Sequence, residues 1–225
     1  MTLAQADLDG LWDFSDPSGS ERRLRDAAET EDDAVARAEL QTQVARALGL
    51  QDRFGEADAV LDAVCAAAPV VAVRVSLERG RVRNSAGEPA AAAPLFRTAA
   101  DAAHATGLTF LHVDALHMLA IAEPNAAAYW TQHALEILEG VSDPRTLRWR
   151  VSLYNNLGWS RLAAGRRAEA VAAFDYVKRV WDSGAVPAAA TTWDGNANNQ
   201  YFIQGDIGIV NNSNRILGKL GADTA

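Results

Sequence analysis

The chain has 225 residues, 49% apolar and 22% charged, a balance that suits a soluble globular protein with a sizeable core. Its formal net charge of −8 argues against a general nucleic-acid binder, which needs a basic face, and against anionic membranes. A single cysteine, Cys65, rules out an intramolecular disulfide and points to a reducing compartment.

The N-terminal stretch MTLAQADLDGLWDF has neither a basic region nor a long apolar run, so no signal peptide is expected. No segment is apolar for the length that a membrane span requires. Two helices are predicted within residues 1–33. The first carries Leu8, Leu11 and Trp12 at helical spacing. The second, PSGSERRLRDAAET, pairs Ser18 with Glu21 in a capping box just after Pro17. Both are expected to cover the open apolar face of the first helical hairpin after residue 33.

Residues 34–183 read as a repeat array. Ala57 and Ala92 lie one repeat apart, as do Ala45 and Gly80, and Val64, Ala99 and Ala134 continue at the same step. That step is within about one residue of a 34-residue helix-turn-helix period. Small residues at Ala45, Gly80, Ala120 and Gly158 let each first helix approach its partner. Ala57, Ala92 and Ala170 do the same on second helices, and Leu61, Phe96 and Phe174 fill the space between. Turns fall at QDRF, AGEP and AGRR, where Gly87 and Gly165 can take a left-handed conformation. Pro69 is expected to stop the second helix of the first hairpin, and Cys65 to be a small buried residue on that helix.

The third hairpin is several residues short between DALHMLAIAE and NAAAYWTQHALEIL, which predicts clipped helices or a change of pitch. Asp143 is placed to cap the next helix, with Pro144 in its first turn. Residues 184–225 are rich in Asn and Gly and poor in charge. They predict a long loop and a terminal helix at NRILGKLG.

This pattern resembles the tetratricopeptide repeat family. The resemblance is closest at ALGLQDRFGEADAVLDAVCAAAP and NNLGWSRLAAGRRAEAVAAF and covers residues 34–183. The chain is also similar to alanine- and arginine-rich bacterial repeat proteins with no assigned activity. The resemblance implies an all-α fold: a right-handed α-α superhelix of about four helical hairpins, with N-terminal capping helices and a C-terminal helix.

It further implies that first helices line a concave groove. Facing residues would then be Gln43, Arg46, Arg74, Glu78, Arg81, Asp114, His117, Met118, Asn155, Asn156 and Trp159. Asn155 and Asn156 each lie one helical turn from Trp159, so amide groups and a large apolar anchor share a surface. Cochaperone members of the family use groove asparagines and basic residues to hold a peptide carboxylate, a role that Asn155, Asn156, Arg74 and Arg81 could resemble. The alternative for Trp159 is packing between repeats, and the alternative for the arginines is ion pairing, with Glu78 as a partner.

The expected function is a non-catalytic scaffold binding a peptide or protein segment, in the cytoplasm, with no nucleic acid, membrane or cofactor. Two other readings stay open. One is a small-molecule or catalytic pocket near Asp114, His117 and Trp159, with Asp114 orienting His117. The other is a homodimer through an apolar face left after Gly221. His112 does not share a face with Asp114 and His117, so no metal site is expected. GDIGIV lacks the glycine fingerprint of a dinucleotide loop.

Overall fold

The computed structural model describes Leu3 and residues 5–183, and every regular element among them is helical. α1 spans Gln5–Leu11, α2 Pro17–Thr30, α3 Ala34–Gly49, α4 Phe54–Ala63, α5 Pro69–Ser85, α6 Pro89–Ala105 and α7 Thr109–Ala122. A 3-10 turn at Pro124–Ala126 precedes α8 (Ala127–Glu139), α9 (Pro144–Leu147), α10 (Trp149–Ala163) and α11 (Arg167–Asp182). The described residues divide into two compact units, with the boundary between Asn125 and Ala126. The division falls at the short third hairpin, where α7 and α8 have 14 and 13 residues against 17 each for α5 and α6. The loop and helix expected over 184–225, with Trp193, Tyr201, Phe202 and the face after Gly221, lie outside the described residues. No helix among the described residues is long and apolar enough to cross a membrane.

In the first unit, neighbouring helices pack in sequence: α2 on α3, α3 on α4 and α5, α5 on α6, and α6 on α7. Helix starts reflect local chemistry. Pro17, Pro69 and Pro89 each open a helix, where a missing N–H costs nothing. Asp33 caps α3 by accepting from the backbone N–H of Val35 and Ala36 at 2.9 and 3.0 Å. One core joins α1 to α4: Leu8, Leu24, Leu40, Val44, Leu48 and Leu61 are fully or almost fully buried together.

Three local expectations need correction. The cap of α2 is Asp16, which accepts from Gly19 N–H at 2.8 Å, because Pro17 occupies the first helical position and leaves Ser18 inside the helix. Pro69 starts α5 rather than stopping α4, which ends at Ala63. The residue before a proline is driven to extended backbone, and Ala68 sits at φ −88°, ψ 140°. The segment between these helices carries Cys65, which is exposed rather than buried.

Hairpin turns place one left-handed residue each: Asp52 (φ 58°), Gly87 (φ 81°) and Gly165 (φ 74°). Aspartate is among the few non-glycine residues that tolerate this region. The helices they join touch at small residues. A Cβ on Gly80 would lie less than 3.0 Å from three carbons of the Phe96 ring, and one on Gly158 would meet the Phe174 ring equally closely. Each aromatic lies the same sixteen positions after its glycine. Ala45 and Leu61, both buried, keep that spacing in α3 and α4.

In the second unit α10 packs on α8 and α11. Asp143 caps α9, accepting from Thr146 N–H and from its hydroxyl at 2.8 and 2.5 Å. Those bonds hold the Asp143 carboxyl below the usual carboxylate range. Arg150 donates to the Leu138 carbonyl at 3.0 Å, tying α10 to the end of α8. Val151 and Val177 form a core patch with Tyr154 and Tyr176, whose rings lie 4.6 Å apart.

Glu21 anchors α2 to the first hairpin turn. Its carboxylate receives Arg53 at 2.6 Å, Gln51 at 2.9 Å and Arg25 at 2.9 Å. Burial pushes the Glu21 carboxyl up, but hydrogen bonds from Gln51 and Arg25 and the charge of Arg53 bring it below the ordinary glutamate value. A depressed folded-state value gives stability that is complete above the ordinary value of 4.5 and is lost as pH falls through the folded value. Glu21→Gln should therefore cost about 1–3 kcal/mol at neutral pH. Denaturant titrations across pH should show that deficit shrinking as the solution is acidified.

The close contacts give a second expectation. Gly80→Ala and Gly158→Ala should each destabilise by about 1–3 kcal/mol through overpacking. Gly55→Ala, whose new Cβ meets nothing within 4 Å, should be neutral or stabilise by up to about 1 kcal/mol, read from chemical denaturation midpoints.

Candidate functional site

Counting from the small residue in each first helix brings the candidate residues into register. Six positions before Ala45, Gly80, Ala120 and Gly158 stand Glu39, Arg74, Asp114 and Ser152. All four are buried, at 1, 7, 4 and 0% exposure. Three positions before stand Thr42, Leu77, His117 and Asn155, again all buried. One position after stand Arg46, Arg81, Ile121 and Trp159. The same side of each first helix thus carries polar groups into the interior.

In the first unit these groups meet. Arg74 of α5 donates to Glu39 of α3 at 2.9 Å. Gln43 of α3 donates to Glu78 of α5 at 3.4 Å, and Arg81 donates to the same Glu78 oxygen at 2.7 Å. Arg81 also reaches Asp114 of α7 at 2.5 Å. The network holds three carboxylates against two guanidinium groups, and the second oxygen of Glu78 accepts no hydrogen bond. Glu39 also accepts from the backbone N–H of Leu3 at 3.1 Å.

Sequence reading placed Arg74, Glu78, Arg81, Asp114 and His117 on an open groove; all five are buried. Charges of both signs one turn apart on adjoining helices neutralise one another, which lets them leave water. Arg74 and Arg81 are thereby committed to carboxylates, and the expected carboxylate clamp loses its basic members. Asp114, the group expected to orient His117, is engaged by Arg81. Arg46 is half-buried, with its guanidinium 5.6 Å from the Trp12 ring centre and 5.7 Å from that of Phe14; the two rings stack at 4.7 Å. Glu39, Trp12 and Phe14 were not foreseen as members of this face. The 35-residue step from Glu39 to Arg74 was the signal available for the first; the aromatics lie outside the repeat and had none.

The second unit presents its polar groups differently. Asn155 is 2% and Ser152 0% exposed, and neither the Asn155 side-chain oxygen nor the Ser152 hydroxyl has a hydrogen-bond partner. Asn156 is half-buried. Trp159 is 38% exposed and sets its edge against Phe174 at 5.9 Å and 80°. Trp159 therefore rests on the hairpin without entering its core.

Arg79 and Arg83 lie outside this row and pair with Asp62 and Asp58 of α4 at 2.5 and 2.6 Å. Among the described residues no group of three or more His, Cys, Asp or Glu side chains is placed to hold a metal. No protein-family model matches the sequence, and no curated protein matches it.

Breaking a buried ion pair by removing one member leaves the other uncompensated. Arg74→Leu should cost about 3–5 kcal/mol, and adding Glu39→Leu should recover most of that loss. Urea denaturation of the two single variants and the double variant measures both quantities.

Proposed function

We propose that the protein is a non-catalytic helical-repeat scaffold that binds an extended peptide or protein segment along its first helices. Its architecture in this reading is a right-handed superhelix of about four tetratricopeptide-like hairpins, in a cytoplasmic bacterial protein. The equivalent glycine–aromatic contacts and the equivalent left-handed turn residues support the repeat. The lone, exposed cysteine suits a reducing compartment.

The observation that carries the binding role is the surface of α10. A buried amide oxygen or hydroxyl without a partner costs about 1–3 kcal/mol. Asn155 and Ser152 both carry such an atom, one and two turns respectively from an exposed tryptophan. An apolar side chain of the segment covers Trp159, and its backbone donates N–H groups to Asn155 and Ser152 once the side chains that bury them move aside. This shifts the recognising role away from Arg74 and Arg81, which are held in the buried network, and onto Ser152, Asn155, Asn156 and Trp159.

Selection from a random peptide display library on the full chain tests this reading. Selected peptides should lose about fivefold or more in affinity, roughly 1 kcal/mol, on Trp159→Ala and on Asn155→Ala. Both variants should keep the wild-type helical circular dichroism. Failure to enrich any sequence, or enrichment that ignores both substitutions, contradicts the proposal.

A further inference from the structure

A cleft lies among α2, α3 and α4, with a volume of about 410 Å³. That is within the usual range for small-molecule sites, roughly 300–1,000 Å³. Its floor is apolar: Ala28 from α2, Val44 from α3 and Val60 from α4. Its rim is polar, with Arg25 and Glu29 one turn apart on α2, and Arg37 and Gln41 one turn apart on α3.

The rim charges are not equally satisfied. Arg25 pairs with Glu21. Arg37 has no carboxylate partner among the described residues. Its guanidinium is fixed by hydrogen bonds to the Glu31 carbonyl at 2.9 and 2.7 Å and to the Asp32 carbonyl at 3.2 Å. These bonds use Nε and one terminal nitrogen, leaving the other terminal nitrogen available. Glu29 has no cationic partner among the described residues, although Arg37 lines the same cleft. The Gln41 amide likewise makes no hydrogen bond among the described residues. The cleft therefore offers one oriented cation, one carboxylate and one amide around an apolar floor.

We propose that this cleft binds a small zwitterion with an aliphatic side chain, the chemistry of a free aliphatic α-amino acid. Its carboxylate pairs with Arg37, whose remaining N–H groups are held in place in advance. Its ammonium pairs with Glu29, its side chain covers Val44 and Val60, and Gln41 bonds whichever head group lies nearer. This site is separate from the α10 surface, and either proposal stands or falls without the other.

Isothermal titration of the full chain with leucine, 4-methylpentanoate and 3-methylbutylamine isolates the two charges. Leucine should bind saturably at millimolar concentration or below, and each single-charge analogue should bind at least about tenfold more weakly. Glu29→Gln should weaken leucine by a similar factor, and Val60→Trp, which fills the cleft, should abolish binding. Glu29 sits at the rim and Val60 is only partly buried, and unchanged circular dichroism checks the fold of both variants. Absence of saturable leucine binding overturns the site. Equal binding of leucine and 4-methylpentanoate, or indifference to Glu29→Gln, overturns the assignment of a zwitterion.

Discussion

The close contact between a glycine on one helix and an aromatic ring on the next governs the rest of the structure. Gly80 lies against Phe96 and Gly158 against Phe174, with no space for even one methyl group. Such a contact fixes the separation of the two helices and also the rotation of each about its own axis. Once rotation is set, every other position on the helix has a determined direction. The residue six positions before the small one is buried in α3, α5, α7 and α10 alike, whether it is Glu39, Arg74, Asp114 or Ser152.

That constraint explains why charge sits inside the first unit. Positions turned inward by the glycine contact carry ionisable groups, and burial is tolerated because each finds an opposite charge, on the adjoining helix or, for Glu78, one turn along its own. Glu39 meets Arg74, and Arg81 meets both Glu78 and Asp114. Such pairs add little net stability over apolar residues of equal volume, since desolvation offsets most of the attraction. Their effect is on register: sliding α5 along α3 by one turn would separate Glu39 from Arg74 and leave both charges buried. In α10 the equivalent positions are neutral, so Ser152 and Asn155 carry no such demand for a fixed partner.

Much of this architecture was legible in the sequence because its causes are local and repeated. The spacing of Ala45, Gly80 and Gly158 identified the first helices, and Gly87 and Gly165 marked their turns. Asp52 was not legible as a left-handed residue, since aspartate serves many other turn conformations. The exposure of Cys65 depended on where α4 ends, which the conformation before Pro69 helps to set. The site was less readable than the fold. Periodicity placed Arg74, Arg81 and Asp114 on a common side of their helices, but not the distances that let them cancel one another. The cleft beside Arg37 arises from three helices, and its rim residues look like ordinary solvated charges in sequence.

The most direct test of the governing contact is a double-mutant cycle on Gly80→Ala and Phe96→Leu, read by urea denaturation. If the ring blocks the methyl group, Gly80→Ala will cost less in the Phe96→Leu background, with a coupling energy of about 1 kcal/mol or more. Additive losses, within about 0.5 kcal/mol, would show that the two side chains do not share a contact and would remove the basis for the common orientation of the first helices.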